Sequence, residues 1–286
     1  MSLIKNYFNL AKPGMIMGNM IPLIGGFFLA SRGHIDWLLL LAAALGLAFV
    51  IGGGCVLNNY IDRRIDALME RTRERELVRG VVPARNAIVF GIILELIGFY
   101  ALIACTNILT AGVALFGLFF YLVMYTIWKR RSIYGTLVGA VAGAVPPVVG
   151  YCAVANRIDT AAILLFIILV LWQMPHFFAI AIRRLNDYIA ADIPVLPVKK
   201  GIRATKIVML IFIILFTLTA PMLTIFQYAG YLYGVAALIL GLIWLVLCVK
   251  GFFASDDKAW ARKMFLFSLI VLMAVFASIP IDAMVG

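Results

Sequence analysis

Charged residues are rare in this chain. They make up 13% of its 286 residues against 65% hydrophobic ones, and the mean hydropathy is +1.09. A soluble domain carries about 25% charged residues, so the shortage excludes a soluble globular protein. It points to an all-α integral membrane protein, one bundle over residues 1–286 with no separate soluble part. Cysteine is scarce as well. Cys55, Cys105, Cys152 and Cys248 stand singly in or at the end of apolar runs, which excludes a disulfide framework or a thiolate metal site and leaves packing. The opening MSLIKNYFNLAKPG has neither the short apolar core nor the cleavage site of a secretory signal, so residues 14–31 are expected to stay as a first span.

Runs long enough to cross a bilayer lie near 14–31, 37–57, 86–105, 108–128, 135–155, 160–182, 206–226, 231–250 and 264–284. Their connections alternate sharply in charge. Of the 24 Lys and Arg residues only Arg32 and Arg157 fall on one side; the rest sit in the N-terminus, 58–85, 129–134, 183–206 and 250–263. The excess of positive loops places that side in the cytoplasm, with the C-terminus outside. The net charge of +11 is therefore a topology signal, and no nucleic-acid partner is needed to explain it.

Where charge does occur, it is concentrated. The stretch from Asn58 to Arg85 holds five of the 13 acidic residues and seven of the 24 basic ones. Asn58, Asp62 and Asp66 are spaced i, i+4, i+8, which on a helix stacks three oxygen-bearing side chains on one face. Such a row suits Mg²⁺, which takes a few carboxylates plus the oxygens of a bound phosphate. Arg71, Arg73, Arg75 and Arg79 follow and offer the positive charge a diphosphate needs. The competing reading is a solvated connector with Asp62 and Asp66 paired to Arg63 or Arg71.

The second informative stretch runs from Trp172 to Lys200. His176 follows Pro175 within a span, either as a packing residue or as a ligand to haem iron. Asp187, past the end of that span, is a candidate to hold a second Mg²⁺ facing Asp62 and Asp66; the role of Asp192 stays open. Lys129, Arg130 and Arg131 close the fourth span, as topology charges or as phosphate clamps. Gly135, Gly139 and Gly143 are expected to let helices approach closely, and Pro146-Pro147 to kink the fifth span. Glu95, mid-span, is either a functional carboxylate or a hydrogen-bonded structural one. The two long loops, 58–85 and 183–206, hint at a duplicated half with a site between the copies.

Asn58-Asn59-x-x-Asp62-x-x-x-Asp66 resembles the first aspartate-rich motif of the UbiA superfamily of intramembrane prenyltransferases. The strings MERTRERE, YTIWKRRSIYGT, PPVVGYCAV, WQMPHFFAIA and DYIAADIPVLPV look like its haem O synthase branch. That resemblance implies nine transmembrane helices around a central cavity open to the cytoplasm, in a bacterial inner membrane. It implies Mg²⁺-dependent transfer of farnesyl from farnesyl diphosphate to a vinyl group of haem B with addition of water, giving haem O for terminal oxidases and their assembly proteins. Asn58, Asp62, Asp66 and Asp187 would hold the metal. Arg71, Arg73, Arg75, Lys129 and Arg130 would hold the diphosphate, and His176 and Trp172 the haem. Many members carry Asp where Asn59 stands here, which removes one carboxylate. A different prenyl acceptor, a non-catalytic haem-binding factor and a transporter are the alternatives.

Overall fold

In lipid, only a helix or a closed barrel satisfies every backbone N–H and C=O, and runs of this length favour the helix. The computed structural model describes residues 3–285. Among them nine helices are long and apolar enough to cross a membrane: α1 Pro13–Ser31, α2 Trp37–Asp66, α3 Ala84–Cys105, α4 Ile108–Trp128, α5 Gly135–Ala155, α6 Thr160–Arg183, α7 Leu196–Ile225, α8 Tyr231–Phe253 and α9 Asp257–Asp282. Each expected run has its helix. Three extend beyond their apolar stretch. α2 continues unbroken through Asn58 to Asp66, α7 begins at Leu196 rather than 206, and α9 begins at Asp257 rather than 264.

At one end of the bundle the connections are short, and three of the helices that start there, α2, α4 and α6, do so on side-chain caps. Asp36 accepts from Leu39 N at 3.0 Å, Asn107 from Thr110 N at 2.9 Å, and Asp159 from Ala161 N at 3.1 Å. These caps satisfy N–H groups that a helix start leaves without partners. The opposite end carries the five basic segments and is tied together by polar contacts. Asn9 donates to Glu76 at 2.9 Å, Lys129 to Asp62, the backbone N–H of Glu70 to Asp187 at 3.1 Å, and Lys206 to Asp257. The charge alternation of the sequence is thus an alternation of ends.

Apolar helices gain no hydrophobic driving force from meeting one another in lipid, so close packing must hold them. At the α1–α5 crossing the backbones touch. A Cβ on Gly26 would lie 2.0 Å from Pro147 O, and one on Gly150 2.0 Å from Leu23 O. Gly150→Val is therefore expected to cost several kcal/mol, beyond the usual overpacking loss of about 1–3 kcal/mol, because the obstacle is backbone. A lowered unfolding midpoint in detergent, or failure to accumulate in the membrane, checks this. α2 and α3 are pressed together in the same way, with a Cβ on Gly98 meeting Gly46 O at 2.7 Å. Glu95 belongs to that seam. It is buried against Gly53, and neither carboxyl oxygen has a hydrogen-bond partner.

Two helices are irregular where they face the bundle interior. α4 passes through a π-helical segment, Phe120–Tyr125. α5 breaks at Ala144 (φ −87°, ψ −2°), just ahead of Pro146-Pro147, which is the expected kink. The rest of the core lies where α6 packs on α7 and α9, with Trp244, Tyr233, Phe216 and Ile168 among its largest buried side chains.

Candidate active site

A cavity of about 780 Å³ runs into the bundle from the charged end. Its mouth and its depth differ in chemistry. Asp62, Asp66, Arg71, Arg75, Lys12 and Lys129 line the charged part, and Leu47, Val50, Pro146, Leu169, Trp172 and Leu272 the apolar part.

The last two turns of α2 set the charged part. Because helical pitch stacks i, i+4 and i+8, Asn58, Asp62 and Asp66 share one inward face, and all three are buried. Buried carboxylates require partners. Lys129, at the end of α4, donates to Asp62, and Arg130 reaches its other oxygen at 3.3 Å. Arg75 donates to Asp66 at 2.5 Å, and Thr72 Oγ1 holds the Asp66 carbonyl at 2.9 Å. The partners are thus Lys129, Arg130 and Arg75; the alternative pairing with Arg63 or Arg71 is not observed among the described residues. Arg71 lines the cavity and makes no ion pair with any described residue, so its guanidinium is available to an anion. Arg73 is exposed and pairs only with Glu74, at 3.9 Å, away from the cavity wall. Arg130 also sits outside the wall and touches the cavity only through Asp62.

The two long loops converge as their spacing suggested. Asp187, on the short helix Leu185–Ala190, accepts from Glu70 N with one carboxylate oxygen, and its other oxygen is buried with no hydrogen-bond partner among the described residues. Asp187 does not line the cavity, whereas Asn58, Asp62 and Asp66 do, and these three are a set of hard oxygen donors. The set fits Mg²⁺, which leaves part of its shell to water and phosphate. Among the described residues no three His, Cys, Asp or Glu side chains come together to hold a metal, and Asp187 is not brought to Asp62 and Asp66 as the sequence suggested, so substrate oxygens would have to complete the shell.

Lys12 is a site residue that the sequence presents only as a topology charge. It holds a left-handed conformation (φ 53°, ψ 67°) that turns the chain from the N-terminal helix into α1. Its side chain lines the cavity, where burial pushes its pKa down to about 8. Lys12 is thus protonated below that pH and neutral above it. Affinity for a diphosphate ligand is expected to weaken as pH rises through about 8, and Lys12→Arg, always charged, is expected to flatten that dependence. Titration of inorganic diphosphate binding between neutral and alkaline pH is the check.

The deeper part is organised by α6. His176 stacks on Trp172 (centroids 4.8 Å apart, 22°) and leans on Phe265 of α9 at 4.9 Å. Trp172 Nε1 donates to Ser268 O at 2.7 Å. Ser268 Oγ gives its one hydrogen to Phe265 O at 2.6 Å, so its 2.7 Å contact with His176 Nδ1 must be donated by the imidazole. That fixes the tautomer. Nδ1 carries the proton and Nε2 keeps a lone pair, as in a histidine prepared to bind a metal. Of the α5 glycines expected to serve helix approach, Gly135 does so, with an ideal Cβ 2.6 Å from the Lys129 backbone, whereas Gly139 and Gly143 make room for side chains, the Tyr125 ring at 3.1 Å and the Gln173 amide at 2.1 Å.

The UbiA prenyltransferase family model matches residues 19–270. The chain belongs to that family. This prenyltransferase is 50% identical over 280 residues to the protoheme IX farnesyltransferase of Protochlamydia amoebophila, covering 98% of this chain and 99% of that one. Its fold is also that of solved family structures. A digeranylgeranylglyceryl phosphate synthase superposes with a TM-score of 0.81 at 20% identity, covering 99% of both chains. A UbiA homologue from Archaeoglobus fulgidus bound to GPP and Mg²⁺ superposes with a TM-score of 0.69 at 14% identity, covering 96% of this chain and 99% of that one. The nine-helix bundle and its interior cavity are thus those of an intramembrane prenyltransferase.

Proposed function

We propose that this prenyltransferase moves the farnesyl group of farnesyl diphosphate onto a vinyl group of haem B, with water added, to give haem O and diphosphate. The observation that carries the reading is one cavity with a carboxylate- and cation-lined mouth and an apolar depth containing the His176 imidazole, whose Nδ1 is held by Ser268 and whose Nε2 has no hydrogen-bond partner among the described residues. The name of the half-identical relative and the GPP and Mg²⁺ of the Archaeoglobus fulgidus homologue support the two substrates and the metal. The charge asymmetry of the loops supports a cytoplasmic mouth in the bacterial inner membrane, with the N-terminus on the same side.

Asn58, Asp62 and Asp66 would hold Mg²⁺. When bound, the ion neutralises charge on the departing diphosphate. Arg71, Arg75, Lys12 and Lys129 add fixed positive charge at the same place, and preorganised charge of this kind commonly contributes more to catalysis than any other single effect. The allylic C–O bond breaks with its electron pair going to diphosphate. Farnesyl C1 then bonds to the outer carbon of the vinyl group. Water adds to the inner carbon, and its proton leaves to diphosphate or solvent. No protein nucleophile takes part. The apolar walls, Leu47, Val50, Leu169 and Leu272 among them, house the isoprenoid tail and keep water from the cation until the carbon–carbon bond has formed. His176 Nε2 would bind the haem iron.

The test is a choice of acceptors. Purified protein receives labelled farnesyl diphosphate, Mg²⁺ and either haem B or a phenolic acid. Label in the haem fraction alone is expected. Label in the phenolic ring, or none in any acceptor from protein that binds farnesyl diphosphate, overturns the reading.

A further inference from the structure

A second cavity, of about 610 Å³, lies between the end of α6 and the start of α9. Arg183, Lys258, Arg262, Lys263 and Leu266 line it. Among the described residues none of these four cations has an ion-pair partner, although Lys129, Arg75 and Lys206 on the same end of the bundle all do. The only carboxylate in the wall, Asp256, caps α9 by accepting from the N–H groups of Lys258 and Ala259 at 2.9 and 3.0 Å. Like charges gathered without counter-charge call for an anionic ligand.

The position of the groove says which anion. The Arg183 guanidinium sits 4.9 Å from the Phe265 ring, whose centroid is 4.9 Å from that of His176. Imidazole and guanidinium thus lie within two such steps of each other. The two cavities share no lining residue and Phe265 stands between His176 and Arg183, so a porphyrin with iron on His176 would meet the groove only by passing its propionate arms beyond the Phe265 ring.

We infer that this groove binds the two propionate carboxylates of the porphyrin substrate, chiefly through Arg183 and Arg262. The inference rests on haem being the acceptor and assigns it an orientation. Propionates occupy one edge of haem and the vinyl groups lie away from it. Anchoring the carboxylates between α6 and α9 turns the vinyl edge into the cavity that receives the farnesyl group. Arginine suits the task, since its planar fork meets a carboxylate with two parallel hydrogen bonds.

The test compares haem B with haem dimethyl ester, which keeps iron and vinyl groups but has no carboxylates. It uses wild type, Arg183→Gln/Arg262→Gln and Arg183→Lys/Arg262→Lys. The Gln variant is expected to raise KM for haem B at least tenfold and leave KM for farnesyl diphosphate unchanged. The ester is expected to be an equally poor substrate for wild type and Gln variant, and the Lys variant to recover part of the affinity for haem B. Equal KM for acid and ester in wild type overturns the inference without need of any variant. So does a Gln-variant defect that is the same for both substrates, or one that disappears in phosphatidylcholine vesicles lacking anionic lipid, which would assign the groove to lipid headgroups. Wild type that neither binds nor farnesylates haem of either form would instead overturn the acceptor itself.

Discussion

Asp62→Asn is expected to lower the rate of farnesyl transfer by about 10²–10³, the loss typical of removing one preorganised electrostatic group. The isosteric amide is the informative change. It keeps the volume, and its one oxygen can still accept from Lys129 while the contact with Arg130 is lost, so α2 stays tied to α4. It removes one negative charge from the face of α2 that is proposed to hold the metal. Asp62→Ala would be a poorer probe, since stripping one partner from a buried ion pair costs about 3–5 kcal/mol and would mix folding with chemistry. Steady-state turnover with saturating haem B, farnesyl diphosphate and Mg²⁺ measures the effect, with elution volume in detergent as the folding control. Near-normal turnover in Asp62→Asn would remove this face of α2 from the chemistry.

His176→Leu is expected to reduce kcat/KM for haem by at least about 100-fold while binding of farnesyl diphosphate is unchanged, because the proposed function has the iron held by this imidazole, which lines the cavity. Leu keeps apolar contact with Trp172 and Phe265, so the α6–α9 packing is retained. Ser268→Ala is expected to follow in the same direction and more weakly, about tenfold, since it frees the Nδ1 proton and lets the tautomer vary. The absorption spectrum of bound haem separates ligation from packing. A histidine-bound spectrum in wild type that persists in His176→Leu would place the iron elsewhere.

Periodicity and charge carried most of the architecture. Nine apolar runs become nine helices among the described residues, and the loops that were grouped by charge meet at one end. The i, i+4, i+8 spacing placed Asn58, Asp62 and Asp66 on one face because that relation is local to a single helix. What depends on contacts between distant segments was less visible. Nothing local distinguishes Arg71 and Arg75, which enter the cavity, from Arg73, which points to solvent. Alternate arginines in an irregular loop can turn either way, and the fold decides. Lys12 looked like any basic residue before a span, although its place ahead of Pro13-Gly14 marks a sharp turn of the chain. Ser268 was hidden altogether, being 92 residues from the His176 whose tautomer it sets. Glu95 gave a mid-span signal whose meaning, a carboxyl packed beside Gly53 in the α2–α3 seam, needed the second helix.

Mass spectrometry decides whether one cavity both joins a farnesyl cation to a haem vinyl group and lets water complete the addition. The haem is extracted and weighed after reaction in water labelled with heavy oxygen, with and without Mg²⁺. A haem heavier by one farnesyl group plus one labelled water, formed only with Mg²⁺ present, is the expected product. Unchanged haem from protein that binds both substrates, or a farnesylated haem without the labelled oxygen, would contradict the proposed reaction.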